Sequence, residues 1–150
     1  KQSRRCLAVA KDNSWVFGIE STIFTIVEKR ISEKLSDDYP DLYITNSDKN
    51  TDDPVFPTIY LHELSGSEQG NDLEGKDINA VMETFQVEVT SARSQQEAKK
   101  VLAEVLMVFK EMRFQITAMP EFKSGDETYR SIARCRRLIG ASECDTLGNK

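Results

Sequence analysis

Two neighbouring stretches decide the fold: AVMETFQVEVTS at residues 80–91 and SQQEAKKVLAEVLMVFKEM at residues 94–112. The first alternates apolar and polar residues, as a β-strand with one buried face does. This alternation places Val81, Phe85, Val87 and Val89 on the inner face and Met82, Gln86 and Glu88 on the outer face. The second stretch opens with Ser94 and Glu97, the spacing of a helix capping box. It therefore predicts an amphipathic helix whose apolar stripe is Ala98, Val101, Leu102, Val105, Leu106, Phe109 and Met112.

Two more strands are predicted after this helix, FQITAMPEF at residues 114–122 and TYRSIARCRRLIG at residues 128–140, around a polar turn. Upstream, apolar residues recur at spacings of three and four and predict another helix. They are Ile19, Ile23, Ile26, Val27, Ile31 and Leu35. We expect this helix to end near Asp38, because Pro40 disfavours helical geometry at the residue before it.

Two strands, at residues 41–46 and 57–64, and a long polar loop at residues 65–77 are predicted between these parts of the chain. The loop contains three glycines, and its only apolar residue is Leu73. Ordering it would cost about 1–2 kcal/mol per residue, so we expect it to be mobile alone and to order against a partner. Its residues form a candidate interface: Ser65, Gly66, Ser67, Glu68, Gln69, Gly70, Asn71, Asp72, Leu73, Glu74, Gly75, Lys76 and Asp77.

The element order α-β-β-β-α-β-β predicts a two-layer α+β fold, with one mainly antiparallel sheet packed on two helices. With 150 residues, the chain can bury a core without metals or disulfides. We expect a single domain at residues 16–140, an N-terminal tail at residues 1–15 and a C-terminal tail at residues 141–150.

The composition excludes several classes of protein. A net charge of −5 argues against a general nucleic-acid binder, because such proteins neutralise phosphates with lysine and arginine. No apolar run approaches the ~20 residues of a membrane helix, so no membrane partner is expected. The three cysteines, Cys6, Cys135 and Cys144, are scattered and lack metal-site spacing. His62 is the only histidine, and no nucleophile motif surrounds it, so we expect neither catalysis nor a metal or other cofactor.

The last predicted strand carries a row of arginines. Arg130, Arg134 and Arg136 share one face at a spacing of two. They could contact phosphates, but in an acidic protein we expect them to pair with carboxylates across strands or on a neighbouring subunit. The candidate interface ion pairs involve Arg130, Arg134, Arg136, Glu88 and Glu63.

From residue 19 to residue 140, the chain resembles the tail terminator (tail completion) proteins of long-tailed bacteriophages. The resemblance is carried by the order and texture of the elements rather than by a strict signature. The segments that carry it are IESTIFTIVEKRISEKL, FPTIYLHEL, the long polar loop, FQVEVTS, EAKKVLAEVLMVFKEM and YRSIARCRRLIG. Residues 1–15 match no part of the family.

The resemblance implies a structural protein of the virion tail, assembled in the cytoplasm of the host bacterium. Such a protein forms a ring, typically a homohexamer, that caps the tail tube next to the head, without catalysis or a cofactor. Its implied partners are further copies of itself, the tail tube protein, a head–neck connector protein, and DNA that passes through the channel without specific binding. One alternative is a phage neck or head-closure protein. Another is a small RNA-binding α+β module, although Gln86 and Glu88, rather than aromatic residues, point outward.

Overall fold

A computed structural model of the chain describes residues 13–47, 56–70, 73–124, 128–143 and 146–149. Its helices are α1 (Ile19–Leu35) and α2 (Gln95–Glu111). Its strands are β1 (Tyr43–Thr45), β2 (Thr58–Gln69), β3 (Ala80–Ser91), β4 (Gln115–Ser124) and β5 (Tyr129–Gly140). Short 3-10 helices, Asn13–Gly18 and Ala141–Glu143, are added to the predicted order of elements.

The five strands form one sheet in the order β1-β2-β3-β5-β4. The pair β1–β2 is parallel, and all the other neighbouring pairs are antiparallel. Helix α2 lies against β3, β4 and β5, and α1 packs beside α2. The predicted α+β class, with a mainly antiparallel sheet and two helices, is therefore confirmed.

The core lies between the helices and one face of the sheet, which we call the inner face. Strand β3 alternates between buried and half-buried residues along its whole length, as its sequence predicts. Phe85 on β3 meets Phe109 on α2 and Phe114, which precedes β4, in a cluster of three buried rings. The ring centroids are 5.6 Å apart for Phe85–Phe109, 6.0 Å for Phe85–Phe114 and 5.0 Å for Phe109–Phe114. This cluster joins the second helix to the centre of the sheet.

The start of α2 forms only half of the predicted capping box. The Ser94 hydroxyl accepts a hydrogen bond from the backbone N–H of Glu97 at 3.1 Å, as expected. The Glu97 carboxylate instead accepts a hydrogen bond from the Ser91 hydroxyl. The Ser91 oxygen in turn accepts one from the backbone N–H of Arg93 at 3.0 Å. Ser91 thus ties the end of β3 to the first turn of α2.

The end of α2 is a Schellman motif with an arginine where glycine is usual. The Phe114 N–H donates to the Phe109 carbonyl at 3.0 Å, and the Arg113 N–H donates to the Lys110 carbonyl at 2.9 Å. Arg113 has φ +68°, in the left-handed region that costs other residues more than glycine. The Phe109–Phe114 ring contact is the apolar contact that accompanies this motif.

Replacing Arg113 with glycine should stabilise the protein by about 0.5–1 kcal/mol, because glycine relieves the left-handed strain. The greater entropy of glycine in the unfolded chain offsets only part of this gain. Urea denaturation followed by circular dichroism would measure the change. Lys110→Gly, inside the same helix, is the matched control and should destabilise by about 1 kcal/mol. A loss of stability in Arg113→Gly would show that the arginine side chain stabilises the fold in its own right.

Buried residues occur on both sides of the predicted domain, residues 16–140. Trp15, in the predicted N-terminal tail, is buried at 7% exposure within the first 3-10 helix. Leu147, in the predicted C-terminal tail, is 1% exposed. Nearby, Arg30 on α1 donates to Glu111 Oε1 at 3.1 Å and also to the carbonyl of Gly148. Neither Trp15 nor Leu147 belongs to a periodic apolar pattern, so the sequence did not predict their burial.

Candidate assembly surface

The outer face of the sheet is opposite the face on which both described helices pack. Its side chains come from alternate residues of β2, β3 and β5, with charged and polar groups predominating. Leu138 on β5 is 48% exposed and lies directly opposite the half-buried Met82 on β3. The face therefore combines polar rows with one apolar pair near the end of the central strands.

The arginine row lies on this outer face, as predicted. Arg130 forms a cross-strand ion pair with Glu88, which confirms that predicted pair. The Arg134 Nε donates to Gln86 Oε1 at 3.0 Å, so its within-chain partner is a neutral amide. Arg136 is exposed and lies in register between Thr84 of β3 and Gln115 of β4. Two of the three guanidinium groups therefore have no carboxylate partner among the described residues.

Glu63 does not pair with the arginine row within the chain. Glu63 lies opposite Phe85 in the β2–β3 register, and Phe85 is an inner-face residue. Glu63 shares the parity of Ile59 and Leu61, which are buried, so its side chain belongs to the same face as theirs. Its partner is the carboxyl of Glu83 rather than an arginine.

The predicted loop at residues 65–77 is partly strand. Strand β2 continues to Gln69, and Ser67, Glu68 and Gln69 pair with Met82, Val81 and Ala80 of β3, respectively. A register shift between Leu64 and Ser67 marks where the pairing is interrupted. The sequence did not show this extension because the stretch has no apolar alternation, and its side chains are mostly exposed.

The remainder of that segment contains two glycines with positive φ, and hydrogen bonds from Asn13 hold its C-terminal end. Gly70 and Gly75 have φ values of +68° and +65°. The Asn13 side chain donates to the Lys76 carbonyl at 2.9 Å and accepts from the Ile78 N–H at 2.8 Å. Leu73 is fully exposed, whereas Asn71 and Asp72 lie outside the described residues. Shortening residues 66–75 would therefore remove the pairing of residues 67–69 with β3.

His62 and Cys135, a possible base and a possible nucleophile, lie on opposite faces of the sheet. His62 is exposed on the outer face, with its ring centroid 5.5 Å from that of Tyr60. Burial raises the pKa of the Cys135 thiol to about 12, so this cysteine is a protonated core residue at neutral pH. No group of three or more histidine, cysteine, aspartate or glutamate side chains that could hold a metal ion occurs in the described part. Among the same residues, no helix has the length and apolar character needed to cross a membrane.

Glu83 is a candidate site residue that was not among those predicted from the sequence. It lies on the inner face between Val81 and Phe85 and is only 4% exposed. Burial, a hydrogen bond with Glu63 and the charge of Glu63 raise the pKa of Glu83 to about 8. The signal was available, because strict alternation in AVMETFQVEVTS puts residue 83 on the same face as Val81 and Phe85.

Comparisons with known proteins assign no family, because no family model matches the sequence and no curated protein matches it. The function is therefore inferred from the surfaces of the molecule and from its sequence resemblance.

Proposed function

We propose that this chain is a structural protein that forms a ring on the end of a bacteriophage tail tube, ends tail growth and provides the surface for joining to the head. The resemblance to tail terminator proteins over residues 19–140 supports this proposal. A two-layer α+β protomer is the architecture that the resemblance implies, and the fold belongs to that class.

The observation that carries the proposal is the chemistry of the outer sheet face. Arginine and methionine are enriched in protein–protein interfaces, where arginine forms two-point contacts with carboxylates. The face combines Arg134 and Arg136 with the Met82–Leu138 pair and contains no grouped catalytic residues within the described ranges. The outer positions of β3 carry no aromatic side chain on which a base could stack, which argues against the RNA-binding alternative.

The two edges of the sheet differ, as the two sides of a subunit in a head-to-tail ring must. β1 pairs only with Thr58–Tyr60, so β2 from Leu61 onward has no strand on that side in the described part of the chain. β4 forms the opposite edge and is interrupted by register shifts around Pro120. Two unlike patches form a heterologous interface, which closes into a ring when its rotation permits.

The remaining partners follow from the same role. One end of the ring would contact the tail tube protein, and the other would contact a head–neck connector protein. DNA would pass through the central channel, where a net charge of −5 disfavours sticking to phosphates. On this proposal the ring is a homohexamer in the virion tail.

Arg134→Glu should lower the fraction of capped tails by at least about tenfold. The new carboxylate would replace the guanidinium that, on this proposal, contacts a neighbouring subunit. The melting temperature should change by only a few degrees, since the side chain is exposed and bonded to a neutral amide. The measurement is electron microscopy of tail tubes mixed with purified protein.

Lys29→Glu, a charge reversal at an exposed site on α1, is the matched control and should leave capping unchanged. Normal capping by Arg134→Glu would show that the outer face is not part of the interface between subunits. Loss of a tight, salt-sensitive DNA affinity with intact capping would favour a nucleic-acid role for the arginine row.

A further inference from the structure

A cavity of about 310 Å³ lies where the first 3-10 helix faces the far ends of β2 and β3. Three glutamates are among the residues that line it: Glu63, Glu68 and Glu83. Its apolar wall includes Val16, Phe17 and Ile78, and the Phe17 ring is 82% exposed. Acidic and apolar side chains thus line the same cavity.

The Glu83 carboxyl is closely packed against Gly66 of β2. A methyl group on Gly66 would come within 3.3 Å of Glu83 Oε1 and 3.1 Å of the Met82 carbonyl oxygen, so glycine leaves room for the carboxyl. Glu83 Oε2 is buried and has no hydrogen-bond partner among the described residues. A buried oxygen left unpaired is costly, and the residue that carries this one is among those that line the open cavity. The arrangement indicates that a hydrogen-bond donor from outside the described residues binds Glu83 Oε2.

The chemistry of the walls selects the kind of donor. Hard metal cations prefer six to eight oxygen ligands, and no group of acids able to hold a metal ion is found in the described part of the chain. A lysine or arginine side chain fits better, because its methylene stem packs on apolar surface while its charged head bonds carboxylates. The apolar wall of Val16, Phe17 and Ile78 is suited to such a stem.

We propose that this cavity binds a lysine or arginine side chain of a neighbouring copy of the chain, whose charged head bonds the carboxyl groups of Glu83 and Glu63. The identity of the donor as a neighbouring copy rests on the proposed ring, whereas the affinity of the cavity for an alkyl cation does not. The contact would be one element of the heterologous interface between subunits.

Binding should be coupled to the release of a proton. The pKa of Glu83 is raised to about 8, so this carboxyl is protonated in the free protein at neutral pH. A cation beside it favours the ionised form, and binding should therefore strengthen as pH rises. Among the described residues, the other titratable groups that line the cavity are Glu63 and Glu68, both on β2. The 3-10 helix and residue 78 contribute only apolar side chains to the lining.

The test is a titration of the full chain with n-butylguanidinium chloride, followed by the NMR amide shifts of Gly66, Ser67 and Ile78. We expect saturable shifts and an affinity at least about tenfold higher at pH 9 than at pH 6. Glu83→Gln should weaken binding at pH 9 by about tenfold or more and abolish its pH dependence. Glu63→Gln changes an exposed side chain, so it tests the same site with little risk to folding.

Glu28→Gln, at an exposed position on α1, is the matched control and should bind the probe like the wild type. No saturable shift at any pH, or equal affinity in Glu83→Gln, would overturn the cavity as a cation site, whether or not rings form. If the wild type binds the probe but Glu83→Gln forms rings normally, the neighbouring copy is not the donor. Probe binding with no ring under any condition would overturn both the donor and the proposed function, and would leave the cation site standing.

Discussion

Replacing Phe109 with alanine is expected to lower the free energy of unfolding by about 3–5 kcal/mol, the largest stability effect that we expect for a single residue. Phe109 is fully buried and contacts both Phe85 and Phe114. Removing its ring would leave a cavity between α2 and the sheet and would also remove the apolar contact of the Schellman motif. The loss therefore affects packing and the end of the helix together.

Urea denaturation of Phe109→Ala and of Met107→Ala would measure this effect. Met107 lies on the same helix but is 50% exposed, so its substitution should change stability by no more than about 0.5 kcal/mol. Similar losses in the two variants would mean that α2 does not present the Phe109 side of its surface to the sheet. The slope of unfolding against urea should stay the same in both variants.

The second large effect is expected at Glu83 and depends on pH. The pKa of this carboxyl rises from its ordinary value of 4.5 to about 8 on folding. Between these values the folded protein retains a proton that the unfolded chain has lost, so stability falls as pH rises from about 4.5 to about 8. Glutamine does not titrate and can still donate a hydrogen bond to Glu63. Glu83→Gln should therefore exceed the wild type in stability by a margin that grows across this range to a few kcal/mol.

Unfolding free energies at pH 5, 7 and 9 would measure this margin, with Glu28→Gln as a control whose difference from the wild type should stay near zero. A margin that shrinks as pH rises would contradict the assignment, because it would mean that folding favours the ionised carboxylate. Glu83 lowers the stability of the fold and lines an open cavity. Residues of this kind often serve a function that outweighs the stability they cost. The cation site proposed above is such a function.

Periodicity alone predicted much of the fold correctly. The alternation of Ala80–Ser91 and the helical spacing of Ile19–Leu35 and Gln95–Glu111 specify which faces are buried, and the structure has those faces buried. These signals succeed because each element buries one face against a common core. Burial of that kind leaves a regular pattern in the sequence.

The parts that could not be predicted lack this pattern. The polar end of β2 is held by backbone pairing, which leaves no trace in its side chains. Asn13 forms hydrogen bonds with Lys76 and Ile78, far along the chain, and Trp15 and Leu147 are buried outside any periodic pattern. Glu83 differs from these, because the alternation of its strand did indicate an inward side chain. The candidate cavity was therefore predictable in part, whereas its far wall, at Val16 and Phe17, was not.

The most direct test of the proposed function is cryo-electron microscopy of tail tubes incubated with the purified protein. We predict a closed ring at one end of the tube, with a single number of copies, typically six, and with Arg134 at the contact between neighbouring subunits. The free protein should be a monomer or a mixture of small oligomers whose proportions change on dilution. A compact dimer that is unchanged by dilution and leaves tube ends bare would contradict the proposal.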